Sequence, residues 1–175
     1  MATSSRRFAA PAISVFLLAA HAAGAADIER IRIESTYLRP VVADAAAHSE
    51  TFRRLVDEIQ RSNVIVYVTC EHFRSATLRG RTRLLSGSHD VRYVRVDVDC
   101  MQTTIDVITI VGHELRHVAE IAAAAVVDQR SFLALYKTLG FSTCSVLPAA
   151  QFETMEAERA GERVRREYAE RSRAH

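Results

Sequence analysis

The apolar positions of this chain change period several times, and each change marks an element. Residues 27–48 are weakly patterned: Ile28, Ile31 and Ile33 offer a short strand, and Pro40 breaks whatever precedes it. Phe52, Leu55, Val56 and Ile59 then recur at helical spacing. Ser49 stands where an N-cap belongs, so a helix is expected from there to about Arg61. Asn63 to Cys70 is β-branched and apolar on both faces, as in a central strand. Leu78 to Leu85 alternates, with Leu78, Thr82 and Leu84 on one side and Arg79, Arg81 and Arg83 on the other. Val91 to Asp99 alternates again, Val94, Val96 and Val98 against Arg95, Asp97 and Asp99. The turn Ser86-Gly87-Ser88-His89-Asp90 between them predicts a hairpin, with the charged rows on a solvated sheet face.

From Thr103 or Thr104 the period is helical to about Val127. A second helix, Ser131 to Leu139, is stopped by Gly140. Residues 141–149 form a loop with Cys144 and Pro148. A charged helix follows from about Ala150 to Ser172, its Glu and Arg residues spaced for surface ion pairs. The order is helix, three strands, three helices, so the class is α+β. The expected architecture is a small antiparallel or mixed sheet of about three to four strands. It packs against the helix at about 103–127 and the C-terminal helix at about 150–172.

The N-terminus changes this picture. Arg6 and Arg7 precede an apolar run, Phe8 to Ala23, and Ala23-Gly24-Ala25 supplies a small-x-small site. Residues 1–25 therefore read as a secretory signal peptide, leaving 26–175 as a single exported domain, periplasmic or secreted. The run is short for a membrane span, so none is expected after cleavage. Without Arg6 and Arg7, the 23 basic residues become 21 and equal the 21 acidic ones. No basic stripe is interleaved with aromatics, which argues against nucleic acid as a partner. Export permits a disulfide. Cys70 and Cys100 each end a predicted strand and are the preferred pair over either with Cys144.

The chemistry lies in Gly112-His113-Glu114-Leu115-Arg116-His117. Residues four apart on a helix share a face, so His113 and His117 can offer two imidazoles to one zinc ion. Glu114 is placed to act as a general base. Arg116, inside the pentad, is expected to face away from both histidines. A catalytic zinc site needs a third protein ligand. Glu120 shares the stripe but lies roughly 10 Å along the axis from His113, which suits it better to orienting His117. Glu153 is the preferred ligand, placed by the helical wheel on the narrow apolar face Ala157, Ala160, Gly161, Val164 and Tyr168 of the last helix. Glu120 and Glu156 remain alternatives. Tyr67, Tyr93, Tyr136 and Tyr168 read as core or surface residues, and none is assigned to an oxyanion.

On these residues the chain resembles zincin metallopeptidases. A carboxylate ligand far downstream resembles the glutamate-zincin branch. The metzincin pattern is excluded, because Glu120 and Ala123 stand where it needs Gly and His. Gln151 to Ala157 is similar to the glutamate helices of small members, with Ala157 where those often carry an Asp that supports a His. Glu120 or Asp106 is expected to supply that support. The arrangement also resembles secreted bacterial proteins with a G-H-E-L-x-H-x-x-E-I-A core. The resemblance implies Zn2+ as cofactor and a peptide or protein as substrate, hydrolysed with Glu114 as base. A peptide would add to a sheet edge, expected at Val91–Asp99. The alternative is an exported scaffold that keeps the helix pair and the metal without catalysis.

Overall fold

The computed structural model describes residues 30–75, 77–142 and 152–173. The expected signal segment, Ile28, Cys144 and Pro148 lie outside them. Ile31–Ile33 forms a strand, β1, and Leu38–His48 forms a helix, α1, that the sequence pattern hid. Pro40 sits in the first turn of α1, where a missing N–H breaks no intrahelical bond. The helix buries Leu38, Val41, Val42 and Ala45. Ser49 is extended and caps α2, Glu50–Gln60, by accepting from the Phe52 amide at 3.1 Å. Its hydroxyl donates to Glu167 at 2.7 Å, and Glu167 also accepts from the amide and hydroxyl of Thr51.

Three longer strands follow: β2 (Val64–Cys70), β3 (Gly80–Gly87) and β4 (Arg92–Val98). The sheet order is β1-β2-β4-β3, parallel between β1, β2 and β4 and antiparallel between β4 and β3. The class is α+β with a mixed sheet, and the β3–β4 hairpin forms. Strand β4, however, is interior, so the expectation that it offers a free edge is wrong. The physical reason is composition. Val94, Val96 and Val98 are fully buried, whereas β3 carries Arg81 and Arg83 and is left outside.

The pentad helix, α3, spans Thr104–Ala123. It ends four residues earlier than its apolar pattern suggests. Buried Arg92 donates to the carbonyls of Ile121 (2.5 Å), Ala124 (2.6 Å) and Ala122 (3.0 Å), satisfying the helix end. Helix α4 spans Gln129–Leu139. Short strands β5 (Phe141–Ser142) and β6 (Phe152–Glu153) pair antiparallel, and α5 runs from Met155 to Ser172. Helices α2 and α3 cover one sheet face, closing a core of Phe52, Ile59, the valines of β2 and β4, Ile108, Leu115 and Ile121. Cys70 and Cys100 are joined by a disulfide that ties the end of β2 to the turn before α3. Among the described residues no helix is long and apolar enough to cross a membrane.

The other sheet face is charged. Fully buried Asp97 receives Arg81 Nη2 at 2.9 Å, Arg83 Nη2 at 2.7 Å and Arg95 Nε at 2.8 Å. Burial works against its charge, but the bonds from Arg95 and Arg81 and the charge of Arg83 prevail and hold its carboxyl below the usual value. A depressed folded pKa contributes stability above the unfolded value of about 3.9, and that stability is lost as pH falls through the folded value. Asp97→Asn is therefore expected to cost about 2 kcal/mol at pH 7, discounted because the arginines are part-exposed. Urea titrations should find the gap between the two proteins closing as the pH is taken below about 4. A gap that is constant from pH 7 to pH 3 would contradict this assignment.

Candidate metal centre

Helices α3 and α5 pack closely because two glycines let them. A Cβ on Gly112 would lie 2.9 Å from Val164 Cγ2. One on Gly161 would lie 3.2 Å from the Thr109 carbonyl and 3.3 Å from His113 Cβ. This approach brings the start of α5 over the pentad.

Glu153 reaches the pentad, but not from a helix. It lies in β6, opposite Phe141, one residue before the N-cap of α5. The expected place on the apolar face of the last helix is therefore wrong: Glu153 precedes that helix. Thr154 is the cap, accepting from the Ala157 amide at 3.1 Å. The signal for this was present: a Thr followed by an acid-rich first turn, Glu156 and Glu158, marks a helix start. Glu156 itself is exposed and pairs with Arg159 at 2.8 Å.

Glu153 Oε2 lies 2.8 Å from His113 Nε2 and 3.6 Å from His117 Nε2. The three atoms lie within 4.8 Å of one another, as the only such group among the described residues. Glu153 Oε2 is buried and, beyond these two ion-pair approaches, makes no hydrogen bond. An orphaned carboxylate oxygen between two imidazole nitrogens fits a cation, and two His with one Glu is a donor set that zinc takes.

Burial opposes the charge on Glu153, but the adjacent His113 and His117 outweigh it and hold its carboxyl down at about 2. Burial likewise opposes charge on His117, yet Glu120, Glu153 and Glu114 push the imidazole up to about 10. His117 Nδ1 donates to Glu120 Oε2 at 3.0 Å, leaving Nε2 toward Glu153. Glu120 Oε1 accepts from Thr154 Oγ1 at 2.7 Å. Burial raises Glu120, but His117 and Thr154 overcome it and lower its carboxyl. Glu120 is thus placed to orient His117, and Thr154, which sequence reasoning missed, anchors it.

Asp106 does not share this role. It sits about two turns before His113, accepting from Thr103 Oγ1 and pairing with Arg165, each at 2.5 Å. Arg116 does not simply face away: its Nε is buried without a hydrogen bond, 3.6 Å from Glu120 Oε1. Tyr136 is core, edge-on to His117 and stacked on Phe152, with its hydroxyl donating to the His117 carbonyl at 3.3 Å. The Tyr168 hydroxyl donates to Asp44 Oδ2 at 2.5 Å, and the Tyr67 hydroxyl accepts from Arg32 Nη1 at 2.8 Å.

Glu114 is 5% exposed. Thr82 Oγ1 donates to its Oε2 at 2.7 Å, and its Oε1 faces Gly80, where an added Cβ would come within 2.3 Å. Burial pushes this carboxyl up, while His117, His113 and the Thr82 bond pull it down; the net direction is up. Strand β3 therefore forms one wall of the site, through two residues with no catalytic signature in sequence. No protein-family model, curated protein or solved structure matches the chain.

Proposed function

We propose that this chain is an exported zinc-dependent peptidase. The observation that carries the reading is the convergence of His113 Nε2, His117 Nε2 and the orphaned Glu153 Oε2 beside Glu114. His113, His117 and Glu153 would hold the ion, with Glu120 fixing the His117 ring. When bound, zinc supplies a Lewis acid and lowers the pKa of water. Glu114 takes a proton from water and returns it to the leaving amine through the oxygen that faces Gly80. The peptide pairs with β3, the long edge strand that walls the site, in place of β4. Export is supported by the N-terminal pattern and by the Cys70–Cys100 disulfide.

A second reading is an exported metal scaffold without hydrolysis. One observation favours it: Glu114 is almost wholly buried and one of its oxygens is occupied by Thr82. Metal analysis and casein hydrolysis of the mature protein test both readings. Wild type is expected to hold one zinc per chain and to cleave. Glu153→Ala is expected to lose both properties, and Glu120→Ala to bind zinc about 10–100-fold more weakly. Wild type with no stoichiometric zinc overturns both readings; zinc without cleavage leaves the scaffold. Zinc kept in Glu153→Ala but absent in Glu120→Ala would exchange the two acids' roles.

A further inference from the structure

The guanidinium cluster on the open sheet face is larger than its carboxylate requires. Arg81 and Arg83 both fork onto one oxygen of Asp97, Oδ2, while Arg95 takes Oδ1. Arg95 also lies in the field of Glu34 and Glu71, whereas Arg81 and Arg83 share the one carboxylate oxygen. Either oxygen could be satisfied by a single arginine. Among the described residues Arg81 and Arg83 hydrogen-bond through Nε and Nη2 and not Nη1; the Arg81 guanidinium lies over the Phe73 ring, 5.5 Å from its centroid, and the two side chains are 38% and 44% exposed. Held by Asp97, they present fixed donors to solvent.

Both arginines lie on β3. Its inner edge pairs with β4, and among the described residues no strand pairs with its outer edge. The two faces of β3 differ. Thr82 points to Glu114 on the helix side, while Arg81 and Arg83 point to the charged side. A strand added to the outer edge inherits this division, because its side chains also alternate between faces. Every second residue would stand over the metal centre side. The residues between them would stand beside Arg81 and Arg83, at cross-strand distances of roughly 5 Å. The arginines are two residues apart, about 6.8 Å along the strand, which is also the spacing of alternate residues in a partner strand.

We propose that the outer edge of β3 selects extended peptides with acidic side chains at alternate positions, paired with Arg81 and Arg83. This names the substrate class of the peptidase and rests on that reading for its use, although binding alone can be measured without cleavage. The acids sit on the face turned from the metal, so selection is separate from the reacting bond. A solvated ion-pair network is the competing explanation, and it predicts no dependence on the spacing of acids.

The test uses zinc-loaded Glu114→Gln protein and fluorescein-labelled ten-residue Thr/Val peptides with two Asp. In one peptide the Asp residues are two apart; in the other they are three apart, with the same composition and charge. Fluorescence anisotropy is expected to show the first binding about two- to fivefold tighter, the gain from one further exposed ion pair. Its Asn counterpart should bind more weakly than either. Arg81→Gln/Arg83→Gln should erase the spacing preference; circular dichroism establishes that it is folded, and Arg81→Lys/Arg83→Lys, which keeps the charge on Asp97, should retain part of it. Equal binding of the two Asp peptides, an Asn peptide that binds as tightly, or no binding at all overturns the inference. None of those results touches the peptidase reading, which wild-type zinc content and casein cleavage decide.

Discussion

Glu114→Gln is expected to keep one zinc per chain and to lose hydrolysis by a factor of about 10² to 10⁴, the range of a general base. The substitution suits the site. Gln has the shape of Glu, and its carbonyl oxygen can still accept from Thr82 Oγ1, which lies 2.7 Å from the carboxylate now. Neither the His nitrogens nor Glu153 depends on Glu114 for a hydrogen bond. What disappears is the ability to take a proton. The burial that raises the Glu114 carboxyl also gives a stronger base than a solvated glutamate. The measurement is initial-rate hydrolysis of a fluorogenic peptide with zinc quantified on the same samples. Full activity in a zinc-loaded Glu114→Gln protein would remove Glu114 from the mechanism. A rate that was already zero in wild type, with zinc bound, would favour the scaffold.

The parts of this fold that could be read from sequence were those governed by local period. The pentad helix, the β3–β4 hairpin and α2 with its Ser49 cap all follow from side-chain spacing and one polar residue at a boundary. Helix α1 was hidden because a proline reads as a break, although in the first turn it costs no hydrogen bond. The order of strands was not legible. Which strand of a hairpin lies outside depends on what the other pairs with, and β2 lies before both in the chain. The candidate site divides in the same way. His113, Glu114 and His117 are a local pattern. Glu153 is expected on the buried face of the last helix as a carboxylate in need of a partner, but Thr154 starts that helix after it, and Glu153 reaches the histidines from β6. Thr82, Thr154 and Gly80 carried no signal of a site, because each matters only through a residue distant in sequence.

Gly80 carries the other large effect. Gly80→Ala is expected to lower hydrolysis about 100-fold while zinc stays bound. The added Cβ would stand 2.3 Å from Glu114 Oε1 and 2.7 Å from Ile110 Cγ2, distances at which something must move. The strand is the stiffer partner, paired along β4 with Gly80 opposite Val98. The carboxylate is the end of a side chain, so it is displaced, and misplacement by about 1 Å can cost a hundredfold in rate. Overpacking should also lower stability by about 1–3 kcal/mol, read from urea denaturation. Gly112→Ala provides the contrast. Its Cβ would meet Val164 on α5, so it should loosen the helix pair that presents Glu153 and weaken zinc binding. One glycine thus tests the base and the other the ligand, although neither bears a functional group. If zinc-loaded Gly80→Ala hydrolyses peptides at the wild-type rate, the oxygen facing β3 is not the one that moves the proton. Wild-type zinc affinity in Gly112→Ala would mean that Glu153 does not depend on the close packing of α3 and α5.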